Sequence, residues 1–417
     1  MTTMTPEIQQ QVRDRFAQID HCDVQGERIF FENAGGALTL KSVVESSSRY
    51  AAIADNQGRD NPGSHELVRV IAKAKADMHE FMNAPGGQFF VGESGTELLF
   101  RLITNACIGC ERGGVVLGST VEHPATRSAC QRWAAIGGHQ HVLIAHDDDK
   151  GTIEAQAYAE AVTADTRVAT IIHTSPVTGM GVDVAAVAKA IRAVSPECFI
   201  IVDGIQHAAH GSIDLASYDI DGYVISAYKV FSRHGYGVAW ISDRMTALPH
   251  DSLVDGPADN WELGTRDTGS YATFSDVIDY FDWLGSQVST GATRRDRFLA
   301  AGQAIHAQEH ALTEGMLHGV GNLIGLASMN GVRIIGGVDN PAREGLVSFW
   351  VDGLESADVV RHLNDNGIRT HVRKADHYSG SILKPLGQES CIRVSVCHYN
   401  TLEEVGRFLH AMAQLTD

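Results

Sequence analysis

Short apolar runs alternate with amphipathic stretches over most of the chain. The runs VVLGS (115–119), VATII (168–172) and FIIVD (199–203) are too short for helices and have no polar face, as is typical of buried strands. Stretches such as 66–84 and 184–194 separate runs of this kind and have apolar residues at helical spacing. This alternation predicts an α/β fold in which helices cover both faces of a mostly parallel sheet.

The pattern changes after residue 290. A helical stretch at 294–318 precedes two strand-like runs, LVSFWVD (346–352) and RVSVCHY (393–399), and Thr401 with Glu404 forms the capping box of a last helix. These elements predict a smaller α+β domain. The chain is therefore predicted to have three parts: an N-terminal helical segment that packs with the small domain (1–28), a large domain (29–290) and the small C-terminal domain (291–417).

Composition narrows the possible functions. A chain of 417 residues, 44% of them apolar, can bury the cores of two domains. A net charge of −18 without a basic block argues against nucleic acid or an anionic membrane as a partner. The N-terminus lacks the apolar core of a signal peptide, no apolar run is long enough to span a membrane, and the seven cysteines show no disulfide framework. We therefore expect a cytoplasmic protein. Cys107 and Cys110 form a lone C-x-x-C in an apolar helical stretch, so no metal site is predicted.

Two charged residues follow neighbouring apolar runs. Asp203 ends the run 198–203, and Lys229 comes just after the run 223–226. Ligands bind outside the carboxyl ends of the strands in an open parallel sheet, so the two side chains are expected to face one crevice. A partly desolvated lysine can lose its proton and form a Schiff base, and an aspartate can keep a pyridine nitrogen protonated. The pair predicts a site for pyridoxal 5'-phosphate (PLP).

Two other interpretations of these motifs are excluded. Ser226 and Lys229 spell the S-x-x-K motif of penicillin-binding enzymes, but the partner motifs S-D-N and K-T-G do not occur. No G-x-G-x-x-G follows the first strand, which argues against a Rossmann-type oxidoreductase.

The small-residue turn 93–96, which opens an apolar helix, could bind an anion through free N–H groups or serve as an ordinary N-cap.

The chain carries, in this order, EHPA (122–125), HTSP (173–176), VDGIQH (202–207), SAYK (226–229) and RVSVCHYNT (393–401). This series resembles the class V aminotransferase family of PLP fold-type I enzymes. Within that family the chain is most similar to the cysteine desulfurase and selenocysteine lyase branch, from about Phe30 to the C-terminus. The resemblance implies the fold-type I architecture, with a large PLP-binding domain and a smaller C-terminal domain.

The resemblance also implies the cofactor contacts. Lys229 would hold PLP as a Schiff base, Asp203 would pair with the pyridine nitrogen, and His123 would stack on the ring, although a structural histidine fits that position equally well. The further implied contacts are to the ring hydroxyl (Gln206), to the phosphate (Gly95, Thr96, Ser226 and Tyr228) and to the phosphate of a neighbouring subunit in a homodimer (Thr265). The family usually has a histidine where Tyr228 stands.

At the substrate end, Arg393 matches the family arginine that binds the substrate α-carboxylate as a fork, with a structural salt bridge as the alternative. Asn33 and Arg59 are further candidates, although an ordinary turn and a surface loop explain them as well. The chain has no cysteine between Arg369 and Gln388, where desulfurases carry the persulfide-forming residue, and Pro176 replaces a family asparagine. The candidate lining residues there are instead His371, Arg373, His377 and Tyr378.

The sequence therefore predicts a PLP-dependent enzyme that acts at Cα and Cβ of a small amino acid. The favoured activity is a lyase that performs β-elimination without persulfide transfer. The alternatives are a class V aminotransferase, an epimerase or a decarboxylating or C–C bond-forming enzyme, and a non-catalytic PLP-binding protein. The outcome depends on which bond at Cα breaks, and the sequence leaves that open.

Overall fold

A sheet of seven strands lies at the centre of the computed structural model, which describes residues 4–416 of the chain. In chain order its strands are β1 (Gln88–Gly92), β2 (Val115–Ser119), β3 (Gln140–Ile144), β4 (Thr166–Ile172), β5 (Phe199–Asp203), β6 (Gly222–Ser226) and β7 (Gly237–Ile241). Their order across the sheet is β1-β7-β6-β5-β4-β2-β3. The strands β2 to β6 run parallel, which confirms the predicted mostly parallel sheet.

Strand β7 is antiparallel to both of its neighbours, β1 and β6. The ten residues 227–236 that join β6 to β7 form no α-helix. A parallel neighbour would need a longer crossover connection, so this short segment returns the chain in the opposite direction. Lys229 is the third residue of this segment and therefore lies close to the carboxyl end of β6.

Helices cover the sheet on both faces. Along β5, Ile200 and Val202 belong to one apolar cluster, whereas Phe199 and Ile201 belong to another on the opposite face. The helices are α1 (Pro6–Arg13), α2 (Lys41–Ala51), α3 (Pro62–Phe81), α4 (Gly95–Gly109), α5 (Pro124–Gly137), α6 (Ala155–Ala161), α7 (Val184–Val194), α8 (Leu215–Tyr218), α9 (Asp243–Thr246), α10 (Thr268–Val288), α11 (Arg294–His318), α12 (Ser356–Asp365), α13 (Gly380–Leu383) and α14 (Leu402–Thr416). Among the described residues, none of these helices has both the length and the apolar character to cross a bilayer.

A second, antiparallel sheet lies in the C-terminal part. Its strands are β8 (Val332–Ile334), β9 (Leu346–Val351), β10 (His371–Lys374) and β11 (Ser390–Ser395), in the order β8-β9-β11-β10. Phe349, Val394 and Phe408 belong to the apolar core between this sheet and α14. The predicted capping box is confirmed, because Thr401 Oγ1 accepts from Glu404 N–H at 3.2 Å and Glu404 Oε2 from Thr401 N–H at 2.9 Å.

The N-terminal segment contacts the C-terminal part. Gln9 Nε2 donates to the carbonyl oxygen of His398 at 2.9 Å. The short strand Ile29–Phe30 pairs in parallel with Ile368–Arg369, and Ile29 packs in the C-terminal core although the predicted boundary assigns it to the large domain. The three-part division stays a prediction, and its residues 1–3 and 417 lie outside the described part of the chain.

Candidate active site

A cleft opens at the carboxyl ends of the parallel strands β4, β5 and β6. It is lined by Thr96, His123, Ile172, Thr174, Pro176, Asp203, Ile205, Gln206, Ser226, Tyr228 and Lys229. The structure thus brings together every residue predicted to hold a cofactor except two. Gly95 lies directly behind Ser226, and Thr265 lies outside the cleft.

Lys229 ends a short 3-10 turn that follows β6. Its Nζ donates a hydrogen bond to Gln206 Oε1 at 3.1 Å. Burial, together with the charges of Arg393 and Arg373, lowers the pKa of the amine to about 7, whereas Asp203 opposes the shift. A large fraction of this amine is therefore neutral near neutral pH and able to attack a carbonyl carbon.

Asp203 is buried at the end of β5. Its Oδ1 accepts from Ile205 N–H at 3.1 Å and its Oδ2 from Thr126 Oγ1 at 3.5 Å. Burial raises the pKa of the carboxyl to about 6, while the Ile205 N–H and Lys229 favour the charged form. A carboxylate this deeply buried is stabilised by a cation beside it, which is what a protonated pyridine nitrogen would supply.

The turn before α4 has the form of an anion cradle. Ser94 caps the helix by accepting from Glu97 N–H at 3.1 Å, and the first helical N–H groups point out of its N-terminus. Gly95 packs so closely that a Cβ there would overlap Ser226 Oγ. The cleft therefore has an amine, a buried carboxylate and a helix N-terminus, which together fit the aldehyde, pyridine and phosphate groups of PLP.

Gly95→Ala is expected to weaken cofactor binding because its methyl group must displace Ser226 at this cradle. Overpacking of this kind costs about 1–3 kcal/mol, so the dissociation constant for PLP should rise roughly tenfold or more. Equilibrium titration of the apoprotein with PLP measures the change. Gly406→Ala is the control, because the nearest side-chain atom to its new Cβ is 3.6 Å away. Equal PLP affinity in Gly95→Ala and the parent protein would contradict the cradle.

His123 presents a neutral ring to the cleft. It caps α5, and its Nδ1 accepts from Ala125 N–H at 3.2 Å. Burial and the charge of Lys229 lower the pKa of the imidazole to about 3. Tyr228 also lines the cleft, and its ring stacks on His234 with the ring centroids 4.3 Å apart. Both rings are therefore held in place before any ligand binds.

Arg393 on β11 is a buried cation without a carboxylate partner within salt-bridge distance among the described residues. Its Nη1 donates to Pro176 O at 2.9 Å, and its Nε has no hydrogen-bond partner among residues 4–416. Burial lowers the pKa of the guanidinium to about 10. The structural salt bridge considered for this arginine is therefore not formed there, and a substrate carboxylate would satisfy it.

The loop after β10 brings Tyr378 towards His123. Their ring centroids are 5.9 Å apart, and Arg373 lies 5.6 Å from the centroid of the Tyr378 ring. Arg373 Nε donates to Ser379 Oγ at 2.9 Å, and Arg127 holds the loop through His377 O at 3.1 Å. The predicted substrate residues Arg373, His377 and Tyr378 thus lie together at one end of the site. His371 instead pairs with Glu32 at 3.1 Å.

Three predicted residues lie elsewhere. Asn33 is buried and its amide is used within the protein, where Nδ2 donates to Ser395 O at 2.8 Å and Oδ1 accepts from Tyr399. The side chain therefore secures the turn after β11, and a direct substrate contact by Asn33 stays a prediction. Arg59 and Thr265 are exposed and outside the cleft of the single chain, so their contacts stay predictions.

Glu122 is a site residue that the sequence prediction missed. It is buried beside the cleft, and its Oε1 accepts from Ile172 N–H at 3.0 Å. Burial and the neighbouring Asp203 raise the pKa of its carboxyl to about 8, so it is mostly protonated at neutral pH. The sequence feature that could have identified Glu122 as a site residue is its position directly before His123 in the motif EHPA.

The comparisons with known proteins agree with this arrangement. The family model described as Aminotransferase class-V matches residues 29–295 and 297–408. The cysteine desulfurase-like protein ustD of Aspergillus flavus is 26% identical, over 94% of this chain and 88% of that protein. A probable cysteine desulfurase of Halobacterium salinarum is also 26% identical, over 92% of this chain and 90% of that protein.

Solved structures share the fold over essentially the whole chain. The cysteine desulfurase of Thermococcus onnurineus superimposes with a TM-score of 0.82 at 23% identity, covering 100% of this chain and 99% of that one. The cysteine desulfurase CsdA of Escherichia coli gives a TM-score of 0.79 at 20% identity, covering 99% and 98%. The predicted fold class is therefore confirmed.

Proposed function

This chain belongs to the class V aminotransferase family, whose members use PLP and act on amino-acid substrates, and on that premise we propose that it is a PLP-dependent lyase. The observation that carries the proposal is the placement of three groups, two of which line the cleft while the third donates to Pro176 of its lining. These are the low-pKa amine of Lys229, the buried carboxylate of Asp203 and the unpaired guanidinium of Arg393.

Each group has a separate task in the proposed reaction. PLP, when bound, supplies an electron sink for the charge left at the substrate Cα. Lys229 Nζ would hold the cofactor and would also act as the base that takes the proton from the substrate Cα. Asp203 holds a proton at the pyridine nitrogen, and Arg393 orients the substrate by its α-carboxylate.

The cysteines favour β-elimination without transfer of the leaving group to an enzyme thiol. The loop between Arg369 and Gln388 has none. Cys391 and Cys397 are buried, and burial raises the pKa of the Cys391 thiol to about 12. Since the thiolate is the nucleophilic form, neither is suited to accept sulfur. The cysteine desulfurase names of the relatives support the lyase activity, and this chain would release the leaving group free.

Incubation of the holoenzyme with cysteine, selenocysteine and cysteine sulfinate tests the proposed function. We expect cysteine or selenocysteine to yield pyruvate, ammonia and free sulfide or selenide, or cysteine sulfinate to yield alanine and sulfite with uptake of water. Prior alkylation of accessible thiols with iodoacetamide should leave the yield unchanged. Amino transfer to a keto acid without such a product would indicate the aminotransferase instead. A PLP absorbance that no amino acid changes would indicate a non-catalytic binding protein.

We further propose a homodimer with shared sites. Thr265 and Arg59 lie outside the cleft of their own chain, so they could contact a cofactor or substrate only across an interface. A monomer in sedimentation of the active holoenzyme would contradict the shared sites.

The seven cysteines, all within the described residues, are free thiols, which fits a reducing compartment such as the cytoplasm.

A further inference from the structure

A chain of polar side chains runs from Lys229 into the protein core. Lys229 Nζ lies 3.1 Å from Gln206 Oε1, and Gln206 Nε2 lies 3.1 Å from His210 Nε2. His210 Nδ1 lies 2.7 Å from Glu309 Oε2. Gln206, His210 and Glu309 are all buried, and Glu309 comes from α11, outside the main sheet. The chain therefore connects the cofactor-binding amine to a carboxylate that does not touch the cleft.

The hydrogen bonds of this chain have one consistent direction. The Glu309 carboxylate accepts from His210 Nδ1, and the Gln206 NH2 group, which can only donate, faces His210 Nε2, so the arrangement is that of the neutral imidazole with its proton on Nδ1. Nε2 then accepts from the Gln206 NH2 group, which turns the Gln206 carbonyl oxygen towards Lys229. An amide can present either end to a neighbour, and here the imidazole tautomer decides which end faces the lysine.

Close packing fixes the pair in position. A Cβ at Gly345 would lie 2.9 Å from His210 Cε1 and 3.0 Å from Glu309 Oε2, so no side chain fits against them. A buried ionisable pair of this kind is rarely a net gain in stability compared with apolar residues of the same size. Its presence behind Gln206 therefore calls for a role other than stabilising the fold.

We propose that His210 and Glu309 are positioning residues that hold the Gln206 amide with its oxygen towards Lys229. This inference rests on the proposed role of Lys229 as the cofactor-binding amine. A carbonyl oxygen at that place accepts from a protonated nitrogen on residue 229 and stabilises its charged form. Loss of the pair frees the amide to rotate, and the charged form then loses a fixed acceptor. The ionisable groups around residues 229 and 210 are Asp203, Arg373, Arg393, His123, Glu344, His306 and His398.

The test is a pH titration of the visible absorbance of PLP in the holoenzyme. Glu309→Met and His210→Met should each lower the midpoint by roughly 0.5 to 1 pH unit, because one acceptor of a charged donor is lost. Glu309→Gln keeps an acceptor oxygen and should shift the midpoint less than Glu309→Met. His139→Asn is the matched control, since it alters a buried histidine whose ring bonds the carbonyl oxygens of Gly113 and Cys107, at 2.7 and 2.8 Å, and has no hydrogen bond to Gln206, His210 or Glu309.

A double-mutant cycle tests whether the pair acts through Gln206. In a Gln206→Met background, Glu309→Gln and His210→Met should have no further effect on the midpoint. Unmoved midpoints in the folded, PLP-bound single variants would overturn the inference, and so would shifts that persist in the Gln206→Met background. Failure of the proposed function is distinguishable, because the parent protein would then lack a PLP absorbance that depends on Lys229.

Discussion

Lys229→Ala is expected to abolish covalent PLP attachment and to lower turnover by roughly 10³-fold or more. Lys229 is the only lysine that lines the cleft among the described residues, and Asp203 lines the same cleft. The same amine is the base proposed to take the Cα proton, so its removal affects both steps. Visible absorbance measures attachment, and product release from the active amino acid measures turnover.

Lys189→Ala provides the control for this substitution. Lys189 is exposed on α7, so its loss should leave both absorbance and turnover at the level of the parent protein. Turnover of Lys229→Ala within tenfold of the parent protein would mean that another group acts as the base.

Asp203→Asn is expected to lower kcat strongly while the protein stays folded. A buried charge that loses its partner costs about 3–5 kcal/mol. Since 1.36 kcal/mol corresponds to about tenfold in rate, kcat should fall by roughly 10²-fold or more. The pKa of about 6 means that Asp203 is mostly ionised at pH 8, where the comparison is made. Steady-state kinetics at saturating PLP separate this effect from weaker cofactor binding.

Glu122→Gln is the matched control for Asp203→Asn. The two carboxyl groups are buried side by side, but the pKa of Glu122 is about 8 and its side chain is largely neutral at pH 7. Glutamine resembles that neutral form, so this variant should retain most of the parent kcat at pH 7. Equal losses in both variants would mean that disruption of the buried pair, rather than the Asp203 charge, causes the effect.

Local patterns predicted much of the fold. The helices at 184–194 and 294–318 have the predicted bounds because their ends carry caps, Asp183 and Thr293, that accept from the first-turn N–H groups. Helix α10 was not predicted, although Asp267 caps it by accepting from the Gly269 N–H group. Buried residues occupy all its faces, including Tyr271, Phe274 and Leu284, so it lacks the polar stripe that marks an amphipathic helix.

The residues proposed to bind the cofactor could be predicted from the sequence, whereas the hydrogen-bonded residues behind them could not. Asp203 and Lys229 could be placed because each follows an apolar strand, and strand ends meet at one edge of a parallel sheet. The His210–Glu309 pair joins residues 99 positions apart, and only the packing of α11 brings them together. Asn33 shows the same limit, since its sequence position in a Gly-rich turn gives no sign of the hydrogen bonds that it makes with residues at 395–400.

Peptide mapping after borohydride reduction of the PLP-bound protein tests the central claim most directly. Reduction fixes the cofactor to whichever amine carries it, and mass spectrometry then locates the modified residue. The account predicts a single modified peptide that contains Lys229, and no modified peptide in Lys229→Ala. Modification of a different lysine, or no modification of a protein saturated with PLP, would contradict it.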